Sequence, residues 1–226
     1  LMVTGGGGSE SVTITAVIKD GGGNTVNDSY AIIFSVPCPF PIDGSCPVGD
    51  GDYSNDIMLN GIPSNGDVPT AISYSTNGLA NVTLNSGNRP GSVKLRAELF
   101  ELDDELMNEP IAIAEETPIT IVTGPPAFGV VGYAFMDADT IGSGLFEMPV
   151  SCMLWDIWSN PIADCTNVWF TVYPPESAVI IGEAKTGNEN SNGDTYTGVA
   201  NTVLRYGSSD IFAEIIIRAQ RESSIL

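Results

Sequence analysis

The sequence of 226 residues predicts an all-β fold of two tandem antiparallel β-sandwiches. Hydrophobic residues make up 42% of the chain and charged residues only 16%, with 25 Gly and 15 Pro, so short apolar segments are separated by many turns. Apolar and polar residues alternate in several of these segments, which is the period of strands with one buried face. A pattern in the first half also returns in the second. The length exceeds one typical domain and accommodates two.

Each predicted strand is a run in which every second residue is apolar. Turn residues separate the runs, for example at Asn77-Gly78 and Pro90-Gly91. In chain order the alternating positions are Val12, Ile14, Ala16 and Ile18; Ile32, Phe34 and Val36; Ala80, Val82 and Leu84; Val93, Leu95 and Ala97; Val168, Phe170 and Val172; and Ile215, Ile217 and Ala219.

The repeat holds at two constant offsets. At an offset of 136 (156 − 20), Asp20 corresponds to Asp156, and at an offset of 120 (197 − 77) the segment "NGLANVTL" corresponds to "TGVANTVL". The difference of 16 (136 − 120) predicts a loop insertion in the first copy, at about residues 37–60, where Pro and Gly are frequent. The pairs at the first offset are Ile14 with Val150, Ala16 with Cys152, Asp20 with Asp156, Asn24 with Asn160, Val26 with Ile162, Ile32 with Val168 and Phe34 with Phe170.

Four cysteines, Cys38, Cys46, Cys152 and Cys165, form an even set divided between the two halves. None has the spacing of a zinc, redox or haem motif. Of the three possible pairings, we expect Cys38 with Cys46 and Cys152 with Cys165, since each closes a short loop worth about 3 kcal/mol in the chain-entropy model. Such bridges predict an oxidising location outside the cytoplasm. Four buried thiols in a cytosolic protein are the alternative.

The repeated segments resemble the bacterial immunoglobulin-like domains of the invasin and intimin type. The first copy carries the resemblance in "AVIKDGGGNTV", "AIIFSV" and "TNGLANVTLNSGNRPGSVKLRA", and the second in "MLWDIWSNPIADCTNVWFTV" and "YTGVANTVLRYGSSDIFAEIIIRA". The first copy lacks the Pro that follows Asn in the family pattern, and the cysteines are not part of that pattern. The resemblance implies two immunoglobulin-like sandwiches, residues 1–124 and 125–226, used as rod-like tandem modules on the outside of bacteria or archaea, without catalysis.

Charge and composition exclude several classes of function. The formal net charge of −20 repels phosphate backbones and anionic membrane surfaces, so nucleic acid is not an expected partner. No apolar run is long enough to predict membrane insertion. The absence of His from the sequence excludes Ser-His-Asp, Cys-His and His-based metal chemistry. We therefore expect a protein that is not an enzyme.

Calcium is the one cofactor that the sequence indicates. The stretch "DGDYSND" places Asp50, Asp52 and Asp56 at alternate positions of a turn-prone loop, where carboxylate oxygens can converge on a cation that takes six to eight of them. The distal Glu of an EF-hand loop is missing. A solvated acidic loop without calcium is the favoured interpretation, and a calcium site at these three residues is the alternative.

The three tryptophans, Trp155, Trp158 and Trp169, fall outside the core-facing positions. Exposed indole rings bind sugar faces or protein surfaces, and they are also covered by neighbouring domains. Packing against a neighbouring tandem domain is the favoured interpretation. A carbohydrate-binding or receptor-binding pair of modules that uses these rings is the alternative function.

The N-terminal segment "LMVTG" and the segment "TIVTG" at Thr120–Gly124 end alike. The segment Thr120–Gly124 predicts the closing strand of the first sandwich. The segment after Ala219, "QRESSIL", is too short and too polar to form an equivalent strand. We therefore expect the second sandwich to have an exposed edge. One hypothesis is that the strand Leu1, Met2, Val3 and Thr4 of one subunit completes the second sandwich of the next. The alternatives are that this strand belongs to its own domain, or that the chain is a piece of a longer array.

These expectations predict a non-enzymatic extracellular or cell-surface protein. It would be a subunit of a filament assembled head to tail from copies of itself, or a segment of an adhesin stalk between neighbouring tandem domains.

Overall fold

The computed structural model describes residues 1–5, 8–37, 57–63, 68–102, 109–115, 118–210 and 213–221. These residues form strands and two 3₁₀ turns, Phe135–Asp137 and Ser208–Asp210, so the predicted all-β sandwich fold is confirmed. The chain divides into two compact units, Leu1–Val122 and Thr123–Leu226, two residues before the division that the sequence suggested. In the described part of the chain, no helix has the length and apolar character needed to cross a membrane.

The first unit is built from two larger sheets and one short sheet. Their orders are β2-β7-β4-β5, β10-β9-β3-β6 and β1-β11-β8, and the pairing is antiparallel except between β1 and β11. Alternate apolar residues of the sheets meet in one core, with Phe34, Leu84 and Ile121 among its fully buried members. The strands are Met2–Val3 (β1), Ser11–Val17 (β2), Ala31–Ser35 (β3), Met58–Leu59 (β4), Ile62–Pro63 (β5), Thr70–Tyr74 (β6), Leu79–Asn85 (β7), Gly91–Val93 (β8), Arg96–Phe100 (β9), Ala112–Glu115 (β10) and Ile119–Val122 (β11).

The second unit contains two antiparallel sheets. One has the order β12-β14-β18-β16, with β13 also paired to β14, and the other has the order β17-β15-β19. A separate core lies between them, with Val150 and Leu204 from the first sheet and Phe170 from the second. The strands are Phe128–Tyr133 (β12), Asp139–Gly142 (β13), Leu145–Trp155 (β14), Asn167–Tyr173 (β15), Ala178–Ile180 (β16), Glu183–Lys185 (β17), Val199–Gly207 (β18) and Ile216–Arg221 (β19).

The loop insertion predicted at about residues 37–60 needs a correction at its C-terminal end. Ile57 and Leu59 are fully buried in the first core, and Met58–Leu59 pairs with β7 as strand β4. The apolar residues that end the insertion therefore belong to the sandwich, because they add a strand to its sheet. Residues 38–56 lie outside the described residues.

Both units contain the same Asp-containing turn at the offset of 136. Asp20 Oδ1 accepts hydrogen bonds from the backbone N–H groups of Gly22 at 2.9 Å and Asn24 at 2.8 Å. Asp156 Oδ1 accepts the equivalent bonds from Trp158 and Asn160, both at 2.9 Å. In each turn the Asn side chain also donates to the carboxylate. The carboxylate thus closes the turn by binding the backbone two and four residues later.

A glycine with positive φ supports this turn in each unit. Gly78 has φ 74° and Gly198 has φ 78°, and they are equivalent at the offset of 120. The carbonyl of Gly78 accepts the N–H of Ile18 at 2.8 Å, and the carbonyl of Gly198 accepts the N–H of Leu154 at 2.9 Å. A Cβ on Gly78 would lie 2.5 Å from the carbonyl oxygen of Val26, so the backbone approach requires glycine. The repeat seen in the sequence is therefore a repeat of hydrogen-bonding geometry.

Candidate interaction sites

The expected bridge between Cys152 and Cys165 is not present in the structure: both are free thiols. Cys152 faces the second core, where burial raises the pKa of its thiol to about 11. Cys165 is exposed in a turn with φ 68°, where its N–H donates to the carbonyl of Thr186 at 2.8 Å. One side chain points into the core and the other to solvent, and this prevents their pairing. Cys38 and Cys46 lie outside the described residues.

The calcium ligands proposed from the sequence, Asp50, Asp52 and Asp56, also lie outside the described residues. Among the residues that the structure does describe, no group of three or more acidic or cysteine side chains is arranged to hold a metal ion. The proposed loop is therefore still a prediction of the sequence alone.

The N-terminal segment is part of its own unit. Met2 and Val3 pair in parallel with Ile121 and Val122, and the N–H of Thr4 donates to the carbonyl of Val122 at 3.0 Å. Met2 is 2% exposed and Thr4 is fully buried. The two similar segments thus lie side by side in one sheet. This agrees with the alternative in which the N-terminal strand belongs to its own domain. Because this segment already pairs with β11 and packs in the core of its own unit, we do not assign it to a contact between subunits.

The three tryptophans do not form one surface. Trp155 ends β14 next to core-facing Leu154, so it points outward from the first sheet of the second unit, and Trp158 lies in the turn that follows. Trp169 precedes core-facing Phe170 on β15 and points outward from the opposite sheet. The outer faces of two stacked sheets point in opposite directions. The geometry therefore does not support one binding surface made of all three rings.

Strand β2 of the first unit has an edge that its equivalent in the second unit does not have. β14 lies between β18 and β12, whereas β2 is the terminal strand of its sheet and pairs with β7 alone among the described strands. We call the side of Ser11–Val17 away from β7 the β2 edge. The sequence alternation identified the core face of β2 without indicating this exposed edge.

Strand β19 of the second unit shows the reverse difference. Its equivalent in the first unit, β9, lies between β3 and β10, whereas β19 pairs with β15 alone among the described strands. We call the side of Ile216–Arg221 away from β15 the β19 edge. In the first unit the exposed edge belongs to the sheet that contains β2. In the second unit it belongs to the other sheet of the sandwich, opposite the one that contains β14, the equivalent of β2.

A groove lined mainly by apolar side chains accompanies each of these edges. In the first unit a cavity of about 270 Å³ is lined by Ala16, Ile18 and Ala97, and in the second unit a cavity of about 220 Å³ is lined by the equivalent residues Cys152, Leu154 and Ala219. Strand β10 borders the first groove and strand β12 borders the second. Each groove therefore has an additional strand beside it in one sheet, and an exposed strand edge beside it in the other sheet.

A larger cleft of about 640 Å³, lined by both polar and apolar residues, lies in the second unit. Its lining includes Tyr133, Asp137 and Glu183, and the amides of Asn188 and Asn201 hold its wall through reciprocal backbone bonds of 2.7 to 2.9 Å. Carboxylates, amides and a largely exposed phenol ring can bind a neutral hydroxyl-rich ligand, because they supply both donors and acceptors.

Comparisons with known proteins give no family assignment: no family model matches the chain, and no curated protein matches its sequence significantly.

Proposed function

We propose that the chain is a non-enzymatic structural segment of an extracellular or cell-surface assembly, as a subunit of a filament or as part of an adhesin stalk. The observation that carries this proposal is the repetition of one hydrogen-bonded framework, the Asp20 and Asp156 turns with Gly78 and Gly198, in two units with separate cores. A repeated module with its own core extends a protein by addition of further modules. Repeated modules lengthen a protein, whereas an enzyme needs a single reactive site.

Composition supports the same proposal. The absence of His removes the side chain that most often serves as general acid or base at neutral pH. The surface location follows from the resemblance to invasin-type and intimin-type domains. The free thiols of Cys152 and Cys165 add no support for an oxidising compartment.

Electron microscopy of intact cells that make the protein tests the proposal. Gold-labelled antibodies against the native protein should bind to the cell surface or to extended structures that project from it. Labelling only in the cytoplasm of sectioned cells would refute the proposed location and the structural role outside the cell.

Carbohydrate binding is the second candidate, and the cleft that Tyr133 lines together with carboxylates and amides favours it. A glycan array distinguishes the two functions. The structural proposal predicts no specific glycan signal. Glycan binding by the native protein that is lost in Tyr133→Ala, but kept in the outward-facing control Tyr74→Ala of the first unit, would favour a binding module.

A further inference from the structure

We propose that the cleft of the second unit binds a neutral glycan of several sugar units, which extends from the cleft along the outer face of the β12-β14-β18-β16 sheet. The inference rests on the second candidate function and deepens it, because it names the class of the ligand and the residues that contact it.

Outward-facing residues of three neighbouring strands form the floor of the cleft. Gly132, Ser151 and Asn201 lie side by side on β12, β14 and β18, and each is next in its strand to a residue that faces the core. A Cβ on Gly132 would lie 3.7 Å from Ser151 Oγ, with no other atom listed within 4 Å beyond its chain neighbours. The space above the floor is therefore open, and a ligand in it reaches the Ser151 hydroxyl.

The first unit uses the equivalent pair of side chains differently. Thr15 and Asn81 occupy the two positions there, and Thr15 Oγ1 donates to Asn81 Oδ1 at 2.6 Å. In the second unit the amide of Asn201 donates instead to the carbonyl of Asn188 at 2.9 Å. Among the described residues the Ser151 hydroxyl then has no hydrogen-bond partner, so it is available to donate to a ligand and to accept from one.

Hydrogen bonds also hold the loop that forms one wall of the cleft. Asn190 Oδ1 accepts the backbone N–H groups of Asn192 and Asp194, both at 2.9 Å. This is the turn that Asp20 and Asp156 form, here with an amide oxygen as the acceptor. A wall that its own hydrogen bonds already fix loses little conformational entropy when a ligand binds.

The charges of the lining disfavour an anionic ligand. Asp137, Glu183 and Glu189 line the cleft, and the described lining contains no Lys or Arg. Carboxylates repel uronate, sulfate and phosphate groups, whereas they accept hydrogen bonds from neutral hydroxyl groups. The exposed amide of Asn192 supplies a donor for hydroxyl oxygens, and the ring of Tyr133, 67% exposed, supplies an apolar face. A neutral glycan matches this combination.

An exposed apolar face continues from the floor of the cleft. On β14, Met153 and Trp155 point to the same side as Ser151, because alternate residues of a strand share a face. Phe128 and Val130 lie opposite them on β12, and each is 60% exposed. Trp155 is four residues from Ser151, about 13 Å along the strand, so a ligand that reaches both is an oligosaccharide rather than a single sugar. The aromatic pair then packs against the apolar face of a sugar ring.

Isothermal titration calorimetry of the full chain tests this site. The probes are the neutral hexasaccharide that binds best on a glycan array, its disaccharide, the hexamer of galacturonate, and hexalysine. Gly132→Leu fills the space above the floor, and Ser151→Ala removes the hydroxyl without filling it. Gly142→Leu is the matched control, because its added Cβ meets nothing within 4 Å and the residue lies outside the lining. Circular dichroism verifies that each variant is folded.

The neutral hexasaccharide should bind more tightly than its disaccharide, and neither charged probe should bind. Gly132→Leu should raise the dissociation constant by about tenfold or more, and Ser151→Ala by about two- to tenfold. Phe128→Ala should lower the affinity for the hexasaccharide to that for the disaccharide. Gly142→Leu should leave both affinities unchanged.

Four results would overturn the proposal: no binding of any neutral glycan, equal binding of a charged probe, binding that neither Gly132→Leu nor Ser151→Ala weakens, or hexasaccharide binding that is unchanged in Phe128→Ala. A structural segment needs no ligand, so these failures leave the proposed surface assembly in place. Labelling only in the cytoplasm would refute that assembly without changing the titrations.

Discussion

Asp20 and Asp156 place the same turn in two different environments. Asp156 is fully buried and also accepts the N–H of Gly124 at 3.3 Å, whereas Asp20 is exposed. Asp156→Ala leaves several buried donors without their acceptor, so we expect it to destabilise the second unit by roughly 2–4 kcal/mol. Asp20→Ala should cost less, because water replaces the lost acceptor.

Tryptophan fluorescence during urea unfolding measures this difference, because all three tryptophans belong to the second unit. The Asp156→Ala transition should move to lower urea concentration. Asp20→Ala should leave the fluorescence transition in place and change only the unfolding of the first unit, which circular dichroism detects. Equal losses in the two variants would contradict the role assigned to burial.

The contribution of Asp20 should also depend on pH. Hydrogen bonds from the backbone and side chain of Asn24 lower the pKa of this carboxyl below its ordinary value of 3.8. A folded-state pKa below the unfolded value adds stability above pH 3.8, and this stability is lost as the pH falls through the lowered pKa. The stability difference between the native protein and Asp20→Ala should therefore shrink below that pH.

The direction of each cysteine side chain explains why the sequence predicted the position of Cys152 correctly but not the pairing of Cys152 with Cys165. Cys152 lies on the core face, as its equivalent Ala16 in the alternating set predicts, because alternation depends only on the period of the strand. Cys165 lies in a turn with positive φ, and no alternation rule gives the direction of such a side chain. The sequence pattern therefore gives the side-chain direction of Cys152 but not that of Cys165, and a disulfide between them depends on both directions.

At the scale of elements, Gly78 sets how closely the turn at Val26 approaches the strand pair β2 and β7. Gly78→Ala would place a Cβ against the side chain of Thr25 and 2.5 Å from the carbonyl oxygen of Val26, in a backbone conformation that already disfavours a side chain. Gly23 has φ 84° with nothing within 4 Å of the added Cβ, so Gly23→Ala carries only the backbone cost of about 1–2 kcal/mol.

Chemical denaturation should therefore show a larger loss for Gly78→Ala than for Gly23→Ala. Equal losses would mean that the close approach at Gly78 does not constrain the fold.

Strand neighbours were harder to predict than strands. The period of two identified the core positions of β2 and β19 because burial of one face imposes it. Which strand lies beside β2 depends on contacts distant in the chain, and the period of a single strand does not specify them. For the same reason the sequence left two possible places for Leu1–Thr4, and pairing with β11 decided between them.

At the scale of the whole molecule, the two units are equivalent sandwiches with separate cores and different exposed edges. Neither the charge nor the overall composition indicates this difference, because both are averages over the chain. It emerges from comparing β2 with β14 and β9 with β19.

Hydrogen exchange of the backbone amides tests this central claim most directly. In dilute solution the amides of Ser11–Val17 that point away from β7 should exchange rapidly, whereas amides on both sides of the equivalent stretch of β14 should be protected. Full protection of β2 in dilute solution, or rapid exchange along both sides of β14, would contradict the account.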